Sequence, residues 1–295
     1  MFEFEVPEVD YTRYSNRQLV AVPLAVLVLS LAVIGGWWAV TGAPVDRGID
    51  FTGGTELTIG SNSTLTNDEI AGTFNEPVVS IQGITTTSDA TYQNQYVVTF
   101  DNSADVSAVR SAVQSTDGMT LLGSGTTSPL FGSQNQRLAV IGVAVAFVGM
   151  SLLAFAFFRT FVPSIAIVIS AFSDIMIPLA IMNLLGIKLS LGIVAAFLML
   201  IGYSVDSDIL LNNHVLRRSG GFYESTYRAM RTGVTMTLTS IAAMAVMAIS
   251  ATFFGIGLMA DIGLILVLGL TADLMNTYML NVTLLRWYKY EGVNR

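Results

Sequence analysis

The chain of 295 residues contains no cysteine. Disulfides, thiolate metal sites and a cysteine nucleophile are therefore excluded. Its one histidine, His214, cannot build a multi-histidine metal centre. Charge is scarce: 12% of residues carry one, against about 25% in an ordinary soluble domain. Lysine is almost missing, with Lys188 and Lys289 against twelve arginines, and the net charge is −7. Such an acidic chain is a poor partner for nucleic acid, and acidity with so little lysine is a halophile's composition. No residue set calls for a cofactor or metal. What remains is hydrophobic: 53% of the residues, with a mean hydropathy of +0.63. That composition belongs in a lipid bilayer.

A bilayer core of about 30 Å is crossed by about 20 apolar residues in a helix. The first such run is Leu19 to Val40, preceded by Glu3, Glu5, Glu8 and Asp10 and followed by no convincing cleavage site. It reads as a retained anchor rather than a signal peptide. Five more runs follow, at roughly 138–158, 162–185, 189–212, 235–254 and 258–285. The last is long enough to tilt, or to begin with a re-entrant or interfacial piece.

Between the first and second runs the composition changes. Residues 44–135 are polar and rich in Ser, Thr, Gly and Asn. Strands are expected at 55–59, 78–86, 95–100 and 119–123, and helices at 66–74 and 105–116, capped by Thr66 and Asp105. The order βαββαβ is the ferredoxin-like split motif. The expected fold is a polytopic α-helical membrane protein of six transmembrane helices, with one external α+β domain between helices 1 and 2. The expected division is 1–18 N-terminal segment, 19–43 first span, 44–135 external domain, 136–288 spans two to six and 289–295 C-terminal segment.

Basic residues orient the spans. Arg13 and Arg17, Arg159, the group Arg217, Arg218, Arg228 and Arg231, and the group Arg286, Lys289 and Arg295 fall on one side, whereas the short loops opposite offer only Lys188. The positive-inside rule puts both termini in the cytoplasm and the acidic domain outside the cell membrane.

Five aspartates lie in or beside the spans: Asp174, Asp206, Asp208, Asp261 and Asp273. A charge there costs roughly 2.5–3.5 kcal/mol by insertion scales. At about 1.5 Å per residue from the basic anchors, Asp206 lies ~16 Å deep, Asp273 ~20 Å and Asp174 ~22 Å. These three are expected to meet near the middle of a bundle, with Asp208 nearer the cytoplasm and Asp261 near the outer surface. Two residues apart on a helix is about 200°, so Asp206 shares a face with Tyr203 and Asn213, and Asp208 with Ser204 and Asn212. An ion relay is one reading, with Arg231 as candidate counter-ion. Neutral or hydrogen-bonded aspartates that merely hold helices together are the other. Asp206 and Asp174 fit the first, Asp208 and Asp261 the second, and Asp273 either. His214 is expected on the surface, and Trp37, Trp38, Trp287 and Tyr288 in the aromatic belt.

The stretch GIDFTGGTEL, which holds Gly48, Asp50, Phe51, Gly53, Gly54 and Thr55, follows the first helix. It resembles the signature that SecD and SecF proteins carry there. IGYSVDSDILLNNHVLRR, with Gly202, Tyr203 and Ser204, resembles the fourth-helix signature of the SecF family. AFSDIMIPLAIMNLLGIKLSLGIVAA resembles its third helix, with Asp174 at the acidic position, and AMRTGVTMTLTS its fifth, with Arg231 at the arginine. The resemblance covers most of the chain. It implies half of a resistance-nodulation-division fold, pairing with SecD and assisting the Sec translocon in moving unfolded polypeptides on a proton, or sodium, gradient. Where bacterial members have Asn-Asp after the GYS element, this chain has Asp206-Ser207, closer to the SecD version, and Asp273 lacks an obvious bacterial counterpart. With the acidic composition, this points to a haloarchaeal member.

Other classes are weaker. An intramembrane aspartyl protease needs a Gly-x-Gly-Asp element, and neither that nor HExxH nor GxSxG occurs. The Gly-Gly stretch lacks the Lys-Ser/Thr ending and following helix of a phosphate loop. A self-sufficient small-molecule or lipid exporter, and a structural subunit with no ion relay of its own, remain as alternatives.

Overall fold

The computed structural model describes residues 11–85, 92, 94–217 and 221–292. Glu3, Glu5, Glu8, Asp10, Arg218, Arg295 and the end of the expected strand at 86 lie outside them.

Helix α1, Asn16–Thr41, opens with a capping box. The Gln18 amide donates to Ser15 Oγ, and the Ser15 amide donates to Gln18 Oε1 at 3.0 Å. It ends at Gly42, whose φ of 76° is the left-handed turn that suits glycine. A one-turn helix, α2, Ile49–Thr52, then lies inside the GIDFTGG stretch. It was missed in the sequence because two glycines hide a turn this short.

A sheet between the first two long helices is formed by β1 (Gly54–Ser61), β2 (Val78–Thr85), β3 (Asn94–Phe100) and β4 (Met119–Thr127), in the order β2-β3-β1-β4 with every neighbouring pair antiparallel. Helices α3, Asn67–Ala71, and α4, Val106–Ser115, fill the two crossovers. This is the ferredoxin-like arrangement. Inward residues alternate along the strands (Leu57 and Ile59, Val98 and Phe100), and Ile70, Val109 and Val113 of the helices close over them. β4 runs four residues past its expected end because it stays paired with β1 to Gly54.

Among the described residues, six helices are long and apolar enough to cross a membrane. After α1 come α5, Pro129–Phe158, α6, Phe161–Leu185, α7, Leu191–Arg217, and α8, Phe222–Phe253. The sixth is α9, Gly257–Met275, which continues through a π-helical turn, Asn276–Asn281, into α10, Val282–Trp287. Helix α5 starts nine residues before the apolar run because Ser128 caps it and Pro129 occupies its first position. Helix α8 likewise starts thirteen residues early, at Phe222, so Arg231 lies well inside it. The sixth span departs from α-helical geometry in its second half, at the π turn, not at its start. Helix α6 is the central, most buried span, whereas α5 and α8 bury very little of theirs. Gly263 lets α9 approach α8 closely: a Cβ there would meet Ala248 Cα at 3.0 Å.

A buried carboxylate cluster and a glycine-rich clasp

Three helices bring polar side chains to one place. Helix α6 supplies Ser170 and Asp174, α7 supplies Ser204, Asp208 and Asn212, and the sixth span supplies Asp273, Thr277 and Asn281, with Asn276 beside them. All are essentially buried. The residues on each helix are four apart, a step that overshoots an α-helical turn by about 40°. The wider π turn counteracts that drift on the sixth span, which keeps Asp273, Thr277 and Asn281 on one face.

Asp174 accepts from Ser204 Oγ at 2.6 Å and from Asn276 Nδ2 at 2.6 Å. Asp208 Oδ1 accepts from Thr277 Oγ1 and Asn281 Nδ2, each at 2.8 Å. Asp273 accepts from Ser207 Oγ at 2.9 Å and from Thr277 Oγ1 at 3.3 Å. A hydroxyl has one proton, so Thr277 donates to Asp208 or to Asp273, not to both. Ser207 Oγ, 2.8 Å from the Ser204 carbonyl oxygen, has the same choice between that oxygen and Asp273. Asn212 Oδ1 and Asn276 Oδ1 are buried without a hydrogen-bond partner, and the Ser170 hydroxyl lies against Asp208. Every partner given above is neutral. Among the described residues no group of three or more His, Cys, Asp or Glu could hold a metal ion.

The structure departs from three expectations. Asp206, not Asp208, was expected beside Asp174 and Asp273; Asp208 is fully buried there and Asp206 is exposed. The division of α7 into two faces holds, but the face of Ser204, Asp208 and Asn212 is the one turned inward. Depth from the membrane edge says nothing about rotation, so it could not tell which aspartate turns toward Asp174. The missed signal was the i, i+4, i+8 polar stripe, repeated in Asp273, Thr277 and Asn281. Arg231 is exposed and makes none of the hydrogen bonds to the cluster. His214 is buried, with Nδ1 2.8 Å from the Leu210 carbonyl oxygen, rather than on the surface.

Asp206 has another place. With Tyr203, Ser207, Thr237 and Asp273 it lines a cleft of about 120 Å³ between α7, α8 and α9. The cleft runs from the exposed side of α7 to Asp273. Gly202 and Tyr203 are also on that exposed side, while Ser204 faces inward. Asp261, near the start of α9, lies under the ferredoxin-like domain and away from the cluster.

The GIDFTGG stretch forms a junction. Gly53 (φ 76°) and Gly54 (φ 128°) hold conformations that side chains resist, and an added Cβ would lie 2.8 Å from Pro129 N or 2.5 Å from Phe100 O. Phe51 is buried, and Thr55 Oγ1 pairs across the strands with Thr126 Oγ1 at 3.3 Å. The Gly48 amide donates to Leu189 O at 2.8 Å, the Leu189 amide donates to Asp46 O at 2.7 Å, and Asp50 Oδ2 accepts from the Leu191 amide at 2.9 Å. Nearby, burial raises the pKa of Glu56 and lowers that of Lys188, each opposed by attraction to the other.

Two family models match. The SecD/SecF GG motif covers residues 38–64, and the C-terminal part of the protein export membrane proteins SecD/SecF covers residues 108–291. The chain is 64% identical to the protein-export membrane protein SecF of Haloferax volcanii and 58% identical to that of Haloquadratum walsbyi, each over the full length of both chains. In fold it is similar to SecDF, a translocon-associated membrane protein from Thermus, with a TM-score of 0.74 at 20% identity over 96% of this chain. It spans 39% of that solved chain's length. The glycine junction, the six spans and the full-length likeness to haloarchaeal relatives agree: the chain belongs to the SecD/SecF family of protein-export membrane proteins.

Proposed function

We propose that this protein-export membrane subunit acts with SecD to promote polypeptide translocation through the Sec translocon, driven by an ion gradient across the cell membrane. The observation that carries the reading is the cluster of Asp174, Asp208 and Asp273, buried among neutral partners. Ionised carboxylates there have lost water, and hydrogen bonds to neutral groups repay only part of that cost. A proton that visits the cluster supplies the rest. The shared Thr277 hydroxyl then changes carboxylate, and the packing of α6, α7 and the sixth span changes with it. The cleft from Asp206 to Asp273 is the entry route.

The outward face of α7 and α8 supports the pairing with SecD. Asp206, Thr235 and Thr239 are exposed within spans. Polar groups at membrane depth avoid lipid and face protein or water. That favours a partnered subunit over a self-sufficient exporter. The uneven distribution of basic residues supports cytoplasmic termini and an extracytoplasmic ferredoxin-like domain.

The test is export of a reporter into vesicles under an imposed proton or sodium gradient. Asp174→Asn, Asp208→Asn and Asp273→Asn should each lose the gradient-dependent part of export while the chain remains inserted and paired. Full gradient-dependent export in all three leaves only a structural role.

A further inference from the structure

The loop between α6 and α7, residues 186–190, is gripped from two sides by the external domain. On one side lies the glycine-rich stretch, with the Gly48–Leu189 and Leu189–Asp46 backbone bonds and the Asp50 carboxylate on the Leu191 amide. Asp46 is itself held by Trp37 Nε1 at 3.1 Å, at the end of α1. On the other side lies β2: Gln82 Nε2 donates to the Gly186 carbonyl oxygen at 3.0 Å, and Lys188 Nζ donates to Ser80 Oγ. Asn135 of α5 fixes the Asp50 backbone, donating to its carbonyl oxygen at 3.1 Å. The loop cannot move without the sheet or the glycine stretch moving with it. Its two ends continue as α6 and α7, the helices that carry Asp174 and Asp208.

The Asp50 bond is distinctive. The first amides of α7 have no partner within the helix. Ser190 serves one of them, its Oγ accepting from Ile193, while its carbonyl oxygen takes the first regular helical bond from Val194. The Leu191 amide is satisfied by a residue 141 positions earlier, in another part of the fold. A carboxylate on a helix N-terminus is a charge-assisted bond aligned with the helix axis. Lys188, Glu56 and Asp261 line the same cleft as Asp50. Leu191 and Asp208 are seventeen residues apart, or ~26 Å of continuous helix.

We propose that Asp50 is a positioning residue that couples the external domain to the carboxylate cluster: it locks α7 to the domain's base, so that a shift of α7 caused by ion binding at Asp208 becomes a movement of the domain. The proposal rests on the reading of the cluster as an ion site. Glycine at 48, 53 and 54 serves the same coupling by letting three backbones approach without a yielding side chain between them.

The chain has no native cysteine, so label pairs can be placed cleanly. Spin labels at Gln114→Cys on α4 and Val246→Cys on α8, both exposed, report the domain-to-membrane distance in the full chain in lipid nanodiscs. In the wild-type background the distance distribution shifts between neutral and acidic pH or on adding sodium. The shift is lost in Asp50→Ala and kept in Asp50→Asn, whose amide oxygen still accepts from Leu191. Chain yield and melting temperature are followed in parallel, because a merely structural role lowers these without uncoupling the shift. A full shift in Asp50→Ala overturns the coupling alone, and so does a loss in Asp50→Asn as complete as in Asp50→Ala. A wild-type distance that ignores both ions overturns the cluster reading together with the coupling.

Discussion

Asp208 and Asp273, on different helices, are bridged by one hydroxyl: Thr277 Oγ1 lies 2.8 Å from Asp208 Oδ1 and 3.3 Å from Asp273 Oδ1. A single proton serves both carboxyl groups, so what happens at one is felt at the other. Thr277→Val keeps the shape and deletes the bridge. It should cost about 1–3 kcal/mol of stability, the usual penalty for leaving a buried acceptor unpaired. Thr277→Ser should recover most of it. Unfolding of the purified chain in detergent measures both, and equal stability of all three chains refutes the bridge.

The two aspartates of the VDSD element should differ in export assays. Asp208→Asn should lower gradient-driven export by about tenfold or more, equivalent to ~1.4 kcal/mol in the limiting barrier. Asp206→Asn, at the mouth of the cleft, should have a smaller effect that shows mainly when the driving ion is scarce. A reversed order would return the titrating role to Asp206.

The glycine junction tolerates no side chain at its centre. Gly53→Ala places a methyl group against the start of α5 and a left-handed φ on alanine. Strain of about 1–2 kcal/mol from the φ alone is expected, with the clash in addition. Gly125→Ala, whose Cβ would have its nearest neighbour at 4.0 Å, should be nearly neutral. Comparison of melting temperature and membrane yield decides this.

Acid should weaken the helix caps of the ferredoxin-like domain. Hydrogen bonds from Ser107 and Ala108 hold the Asp105 carboxyl below its ordinary 3.8, and those from Thr66 hold Glu69 below its ordinary 4.5. A carboxylate with a depressed folded pKa contributes stability above its unfolded pKa, and that contribution fades as pH falls through the folded one. The melting difference between wild type and Asp105→Ala should therefore be full at neutral pH and shrink in acid below 3.8. A constant difference would assign the cap's effect to something other than charge.

Orientation is open to direct labelling. Among the described residues, Arg47, Arg110, Arg137 and Lys188 lie on the domain side of the spans, and the other eight basic residues lie toward the opposite side. A single cysteine at Gln114 should react with an impermeant thiol reagent on intact cells, and one at Tyr290 only after lysis. The opposite pattern inverts the proposed topology.

Much of the architecture was already legible in the order of residues. Lipid demands long apolar helices, so α1, α6 and the other spans are visible as runs, and Thr66 and Asp105 announce α3 and α4 because caps are local chemistry. Starts were less legible. Helices α5 and α8 extend beyond their apolar runs through polar first turns, where hydropathy is silent but Ser128, Pro129 and backbone hydrogen bonding are not. The aspartates show the deeper limit. Composition and spacing established that Asp206 and Asp208 face opposite ways and that burying a carboxylate is expensive. Which one turns inward depends on the rotation of α7 about its axis, and packing against α6 and the π-distorted sixth span decides that rotation. Ser204 meets Asp174, and Asn281 meets Asp208, only once three helices from distant parts of the chain have come together. The same holds for Asp50, whose partner at Leu191 lies beyond any local pattern and is found only where the domain rests on the membrane helices.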